Sequence, residues 1–125
     1  MFNSLVNTLV VTIPSVILPL LVAANAAFAF TFIEFKGREI YFAIIVGLMI
    51  IPLQSALIPV LRAMVAFQKA THIQLTGNFP SAWIIHCAFA LPLAIYILRN
   101  YMLSLPSSLI EAARVDGATW YQIFW

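Results

Sequence analysis

The placement of charge constrains this chain more than any other feature. No charged side chain occurs between Met1 and Ile33, and most of the six basic and four acidic residues lie in three short clusters between long apolar runs. A water-soluble domain gives roughly a quarter of its residues to charge, whereas here 8% are charged and 64% hydrophobic. Three charge-free stretches, Leu5 to Ile33, Ile40 to Leu61 and Phe79 to Leu98, each supply the ~20 residues that a helix needs to cross a hydrocarbon core of about 30 Å. The expected fold is therefore all-α: a polytopic transmembrane helical protein with three spanning helices (5–33, 40–61 and 79–98) and a cytoplasmic helical elbow, all within one domain, 1–125. The first run lacks a basic leader and exceeds the 7–15 apolar residues typical of a signal peptide, so it reads as a retained helix.

Basic residues in the connectors set the expected orientation. Lys36, Arg38, Arg99 and Arg114 fall on one side of the bilayer, and Arg62 and Lys69 on the other. The excess of positive charge marks the cytoplasmic side, which puts the N-terminus outside and the C-terminus in the cytoplasm. A net charge of +2 gathered into no patch or stripe gives no footprint for phosphate backbones, and nucleic acid is not an expected partner.

Every span contains prolines: Pro14 and Pro19, Pro52 and Pro59, Pro80 and Pro92. An interior proline removes one helical hydrogen bond. Kinked helices around a cavity would follow, although proline is also simply commoner in membrane helices than in soluble ones. Among polar residues at membrane depth, Asn25, Gln54 and His86 are the candidates for a translocation path. The same residue types also serve as hydrogen-bonding glue between helices, and both roles stay open for each.

Catalytic signatures are missing. None of the four glycines belongs to a phosphate-binding G-x-x-x-x-G-K-[ST] loop, there is no H-E-x-x-H, and no carboxylate lies within an apolar span, so acid–base, metal and nucleotide chemistry find no residues to carry them. Neither a metal nor a cofactor is expected, and the chain is not expected to be an enzyme. Cys87, the single cysteine, can form no internal disulfide and reads as a small buried apolar residue.

Beyond Arg99 the pattern changes. Pro106 suits a helix start, Ser108 with Glu111 has the spacing of a capping box, and Gly117 suits the left-handed residue that closes a helix. Thr119 with Gln122 gives a second capping box. Two short helices joined at Gly117 and Ala118 form the expected elbow over about 104–125. Leu109, Ile110 and Ala113 make an apolar stripe on the first, with Ala112 and Ala113 keeping that surface low and Glu111 and Arg114 flanking it. Spacing alone fits two roles equally: insertion into a groove on a partner protein, or an amphipathic helix lying on the membrane. Trp120, Tyr121, Phe124 and Trp125 are expected to find only the membrane interface to pack on.

The run Glu111-Ala112-Ala113, three residues, then Gly117, with Leu105-Pro106 before it and Asp116-Gly117-Ala118 around the glycine, resembles the EAA loop of ABC importer permeases. Pro52-Leu53-Gln54 with Leu57-Ile58-Pro59, and Leu91-Pro92-Leu93-Ala94-Ile95 with Leu98-Arg99-Asn100, resemble the carbohydrate-importer branch, the inner-membrane permeases related to the maltose system. The resemblance covers nearly the whole chain. It implies that Glu111, Ala112, Ala113, Asp116 and Gly117 belong to a coupling helix docking on a nucleotide-binding ATPase subunit. It further implies a second permease subunit, an external substrate-binding protein, and alternating access driven by ATP hydrolysis in the partner. The family pattern continues with Ile-x-Leu-Pro and further spans, and usually has an additional span earlier, so the residues here are expected to be part of a longer permease. A small membrane interaction protein, or a permease remnant, is the alternative.

Overall fold

A computed structural model describes residues 2–74 and 76–125. Leu75, in the connector expected at 62–78, and the side chain of Leu53, in the Pro52-Leu53-Gln54 motif, lie outside the described residues. Among the described residues six helices follow in order: α1 (Phe2–Phe32), α2 (Arg38–Leu48), α3 (Leu53–Thr71), α4 (Phe79–Leu103), α5 (Ser107–Val115) and α6 (Trp120–Phe124). Strands are absent among the described residues.

Two of these helices, α1 and α4, are long and apolar enough to cross a membrane. They lie side by side and run in the same direction, because Trp83 near the start of α4 reaches Val10 near the start of α1, and Arg99 near the end of α4 reaches Phe30 near the end of α1. The face that α1 buries carries Pro19, Ala23 and Ala27 at four-residue intervals, with Phe28 beside them; α4 answers with Ser81 and Ile95. Small side chains at such spacing let two backbones approach closely, the usual basis of helix packing in hydrocarbon. Outside this seam the apolar residues of α1, among them Leu9, Val16, Ile17 and Leu21, are exposed.

Both polar contacts of the pair answer a backbone deficit. Pro14 has no N–H to give to the carbonyl of Val10 four residues earlier, and the indole Nε1 of Trp83 donates to that carbonyl at 3.0 Å. Phe30 is in the last turn of α1, where carbonyls lack helical partners, and Arg99 Nε donates to its oxygen at 3.4 Å. A guanidinium at a helix C-terminus also complements the helix dipole. Of the other prolines, Pro19, Pro59 and Pro92 lie within helices that continue through them, while Pro80 stands in the first turn of α4 and Pro52 precedes α3 as its N-cap.

The run expected as one span at 40–61 is two helices. α2 ends at Leu48, a tight turn takes Met49, Ile50 and Ile51 with bonds to Val46, Gly47 and Leu48, and Pro52 is extended (ψ 127°). The cause is Pro52, which cannot donate to the Leu48 carbonyl and disfavours helical backbone at Ile51; Ile51 itself donates to Leu48. α3 then continues to Thr71, well past Leu61, and carries Arg62 and Lys69. The third apolar run likewise extends to Leu103, which places Arg99 inside α4 rather than after it.

Candidate functional site

The elbow begins where α4 ends. Ser104 and Leu105 turn the chain with bonds to the carbonyls of Tyr101 and Met102, and Pro106, extended at ψ 127°, is the N-cap of α5. The capping box expected from Ser108 and Glu111 is not formed: Pro106 occupies the N-cap, α5 starts at Ser107, and no side chain caps it. With the helix starting earlier, Ser108 lies inside the first turn and its hydroxyl has no cap to make.

The end of α5 follows the expected pattern. Gly117 takes φ +83°, a left-handed conformation that costs little only for glycine. Ala118 N–H donates to the Ala113 carbonyl and Gly117 N–H to the Arg114 carbonyl, the pair of bonds that closes a Schellman ending. Thr119 and Gln122 then form the second capping box, with the Thr119 N–H and hydroxyl donating to Gln122 Oε1 at 2.8 and 2.9 Å and the Gln122 N–H donating to Thr119 Oγ1. Every residue between α5 and α6 is thus held by hydrogen bonds, so the two helices form one stiff unit.

On α5 the expected apolar stripe divides. Ile110 and Ala113 are half-buried, whereas Leu109, Glu111, Ala112, Val115 and Asp116 are exposed. Leu109, Ala112 and Asp116 share one side of the helix by their three- and four-residue spacing. Glu111 makes no salt bridge among the described residues. Arg114, expected to flank the stripe with Glu111, turns instead to α6, with its guanidinium 4.7 Å from the ring centre of Trp120.

The aromatic end does not lie free at an interface. Trp120 and Phe124 meet the buried ring of Phe28 on α1 edge-on, with centres 6.0 and 5.2 Å away, and Phe32 adds a tilted contact to Phe28 at 5.1 Å. Sequence reasoning missed this partner because Phe28 lies in a run of apolar residues that periodicity cannot distinguish from lipid-facing ones. Tyr121 and Trp125 remain exposed.

Above the elbow, Arg99 gathers three helices. Its Nη2 donates to both oxygens of Glu39 at 3.1 and 3.2 Å, its Nε to Phe30, and its guanidinium lies 4.0 Å from the ring centre of Phe42. Glu39 also accepts from Arg38. The sequence offered these charges only as topology markers; the pairing has no signature at a separation of 60 positions.

The candidate path residues occupy three different helices. Asn25 on α1 donates its amide to the Leu21 carbonyl at 2.8 Å, and Gln54 on α3 and His86 on α4 are exposed. None of them lines the apolar groove of about 680 Å³ between the α2–α3 turn and α4, walled by Met49, Pro52 and Val60 on one side and Ile85, Phe89 and Pro92 on the other. Cys87 is half-buried.

No family model and no solved structure matches the chain, but curated proteins do. It is 43% identical over 124 residues to the osmoprotective compounds uptake permease protein GgtD of Synechocystis sp., a match covering 99% of this chain and 40% of that protein. To the alpha-glucoside transport system permease protein AglG of Rhizobium meliloti it is 43% identical over 98% of its length, covering 32% of the relative. The melibiose/raffinose/stachyose import permease protein MelC of Bacillus subtilis is 32% identical over 98% of the chain, and 42% of MelC is covered. The chain therefore spans less than half the length of each of these relatives.

Proposed function

We infer that this chain belongs among the permease subunits of ATP-driven ABC importers, most of them for sugars, and carries the elbow that receives the ATPase subunit. The observation that carries this reading is similarity along 98–99% of the chain to three proteins whose names are those of uptake, transport and import permeases. Two of those names specify glycosides or oligosaccharides, and a sugar or similar polyhydroxylated solute is the proposed cargo. Hydrolysis of ATP falls to the partner.

The elbow suits the docking role. A rigid α5–α6 unit presents Leu109, Ala112 and Asp116 on one side and Glu111 on another, all exposed. Alanine lets a groove close around the helix, and an unpaired carboxylate can accept a bidentate arginine. A second permease subunit would complete the path, and an external binding protein would deliver the solute.

Three crossings are part of the proposal. Parallel α1 and α4, if both span, require residues 33–78 to carry the chain back across the bilayer. At about 1.5 Å per residue, α2 and α3 together have the length to do so. A crossing broken at Met49–Pro52 leaves backbone groups unpaired at membrane depth, tolerated where they face protein or a cavity, and broken helices of this kind line transport sites. Lys36, Arg38, Arg99 and Arg114 then share the cytoplasmic side and the N-terminus lies outside. Asn25, Gln54 and His86 remain the proposed polar lining of the path.

Replacing Glu111 by alanine in the assembled transporter tests the reading. An exposed side chain without a salt bridge among the described residues contributes less than about 0.5 kcal/mol to folding, so the protein should reach the membrane in normal amount. Uptake of labelled sugar should nevertheless fall, together with co-purification of the ATPase subunit. Unaltered uptake and unaltered binding overturn the docking role.

A further inference from the structure

The elbow follows α4 in sequence but is fastened to α1. Phe28, only 8% exposed, meets Trp120 and Phe124 at interplanar angles of 76° and 73°, an edge-to-face geometry in which each ring restrains the tilt of its neighbour. Arg114 of α5 lies over Trp120. An unbroken line of contacts therefore runs from α5 through Arg114 and Trp120 to Phe28, and Phe28 is adjacent in sequence to Ala27, which is fully buried in the seam with α4.

We propose that Phe28 is the joint through which movement of the elbow reaches α1, which makes Phe28, Trp120 and Phe124 positioning residues for solute transport. The inference rests on the permease reading given above. Its mechanical basis is that a rigid body with one attachment can swivel, whereas one with two attachments must carry both along. Among the described residues one attachment is covalent, at Ser104 to Pro106, and another is the aromatic cluster. Because α5 and α6 are locked by the Gly117–Ala118 bonds and the Thr119–Gln122 box, displacement of α5 by a docked ATPase cannot be absorbed between them. It is delivered to the C-terminal end of α1 as well as to α4. The residues that α1 buries in the seam just before Phe28 are Ala23 and Ala27, whose small side chains offer little interdigitation to oppose sliding. Arg99 bonds to α1 and α2 at the same end, so movement of α1 there also bears on the broken segment that walls the apolar groove.

The test is the amount of solute moved per ATP hydrolysed by the assembled transporter in liposomes. Phe28→Ala should keep the ATPase subunit bound and hydrolysing within about twofold of wild type, while solute per ATP falls about tenfold, the loss expected when two aromatic contacts stop favouring one arrangement. Phe28→Tyr, which keeps the ring, should restore the ratio. An unchanged ratio in Phe28→Ala overturns the joint. Should that variant fail to reach the membrane, Trp120→Leu is read by the same ratio, and an unchanged value there overturns it equally. A wild-type protein that binds no ATPase subunit is a different result: it overturns the permease reading, and the joint with it.

Discussion

Trp83 and Pro14 illustrate how one residue creates the need that another meets. Without an N–H on Pro14 the Val10 carbonyl loses its helical donor, and Trp83 Nε1 supplies the missing bond at 3.0 Å. Interhelical hydrogen bonds of this sort contribute about 0.6 kcal/mol on average in a membrane, with more at stake where the alternative is an unpaired carbonyl. Trp83→Phe should therefore destabilise by about 1 kcal/mol in the wild-type background. In a Pro14→Ala background the helix regains its own donor, and the cost of Trp83→Phe should shrink to less than about half, a coupling that a double-mutant cycle isolates. Thermal unfolding of the four proteins in detergent measures it; equal costs in the two backgrounds contradict the pairing. Sequence alone reveals the orphaned carbonyl but not the tryptophan, because the donor is 73 positions away. Arg99 is the same case: its charge was legible, its partners Phe30, Phe42 and Glu39 were not.

At the scale of elements, local chemistry was readable where one residue type is nearly obligatory and misleading where a pattern permits several registers. Gly117 and the Thr119–Gln122 box were legible because a left-handed turn all but demands glycine and a cap favours the few short side chains that offer an oxygen acceptor. Ser108 and Glu111 had the right spacing too, yet Pro106 took the cap position and moved the helix start, so the box never formed. The apolar run at 40–61 misled for a related reason: hydropathy measures whether a segment suits lipid, not whether its backbone is continuous, and Pro52 breaks it. These differences predict unequal sensitivity within the elbow. Gly117→Ala forces a Cβ into φ +83° and should cost about 1 kcal/mol, and Thr119→Ala about the same through the lost cap. Ser108→Ala, at a hydroxyl that caps nothing, should stay within about 0.5 kcal/mol of wild type. Proteolysis between α5 and α6 in membrane preparations should accelerate in the first two variants and not in the third; acceleration in Ser108→Ala would return the cap to Ser108.

For the molecule as a whole the decisive relation is that α1 and α4 are parallel. Two adjacent parallel helices that both cross a bilayer leave the chain on the wrong side for the second to begin, so the segment between them must recross. The sequence carried the expectation of three crossings through its three apolar runs and the side preference of its basic residues; the structure adds that α1 and α4 are parallel, held by Trp83 at one end and Arg99 at the other, and the recrossing between them belongs to the proposal. Labelling can decide it. With Cys87 replaced by serine, a single cysteine at Lys36, Thr76 or Ser108 should react differently with a membrane-impermeant maleimide. In the proposed orientation, which rests on the excess of basic residues in the 33–38 and 99–114 connectors, the position-76 cysteine should label in intact cells, while those at 36 and 108 should label only after permeabilisation. Equal labelling of 36 and 76 from one side means that α2 and α3 enter and leave on the same face. α1 and α4 could not then both span, and the elbow would lose the membrane-anchored pair against which an ATPase could push.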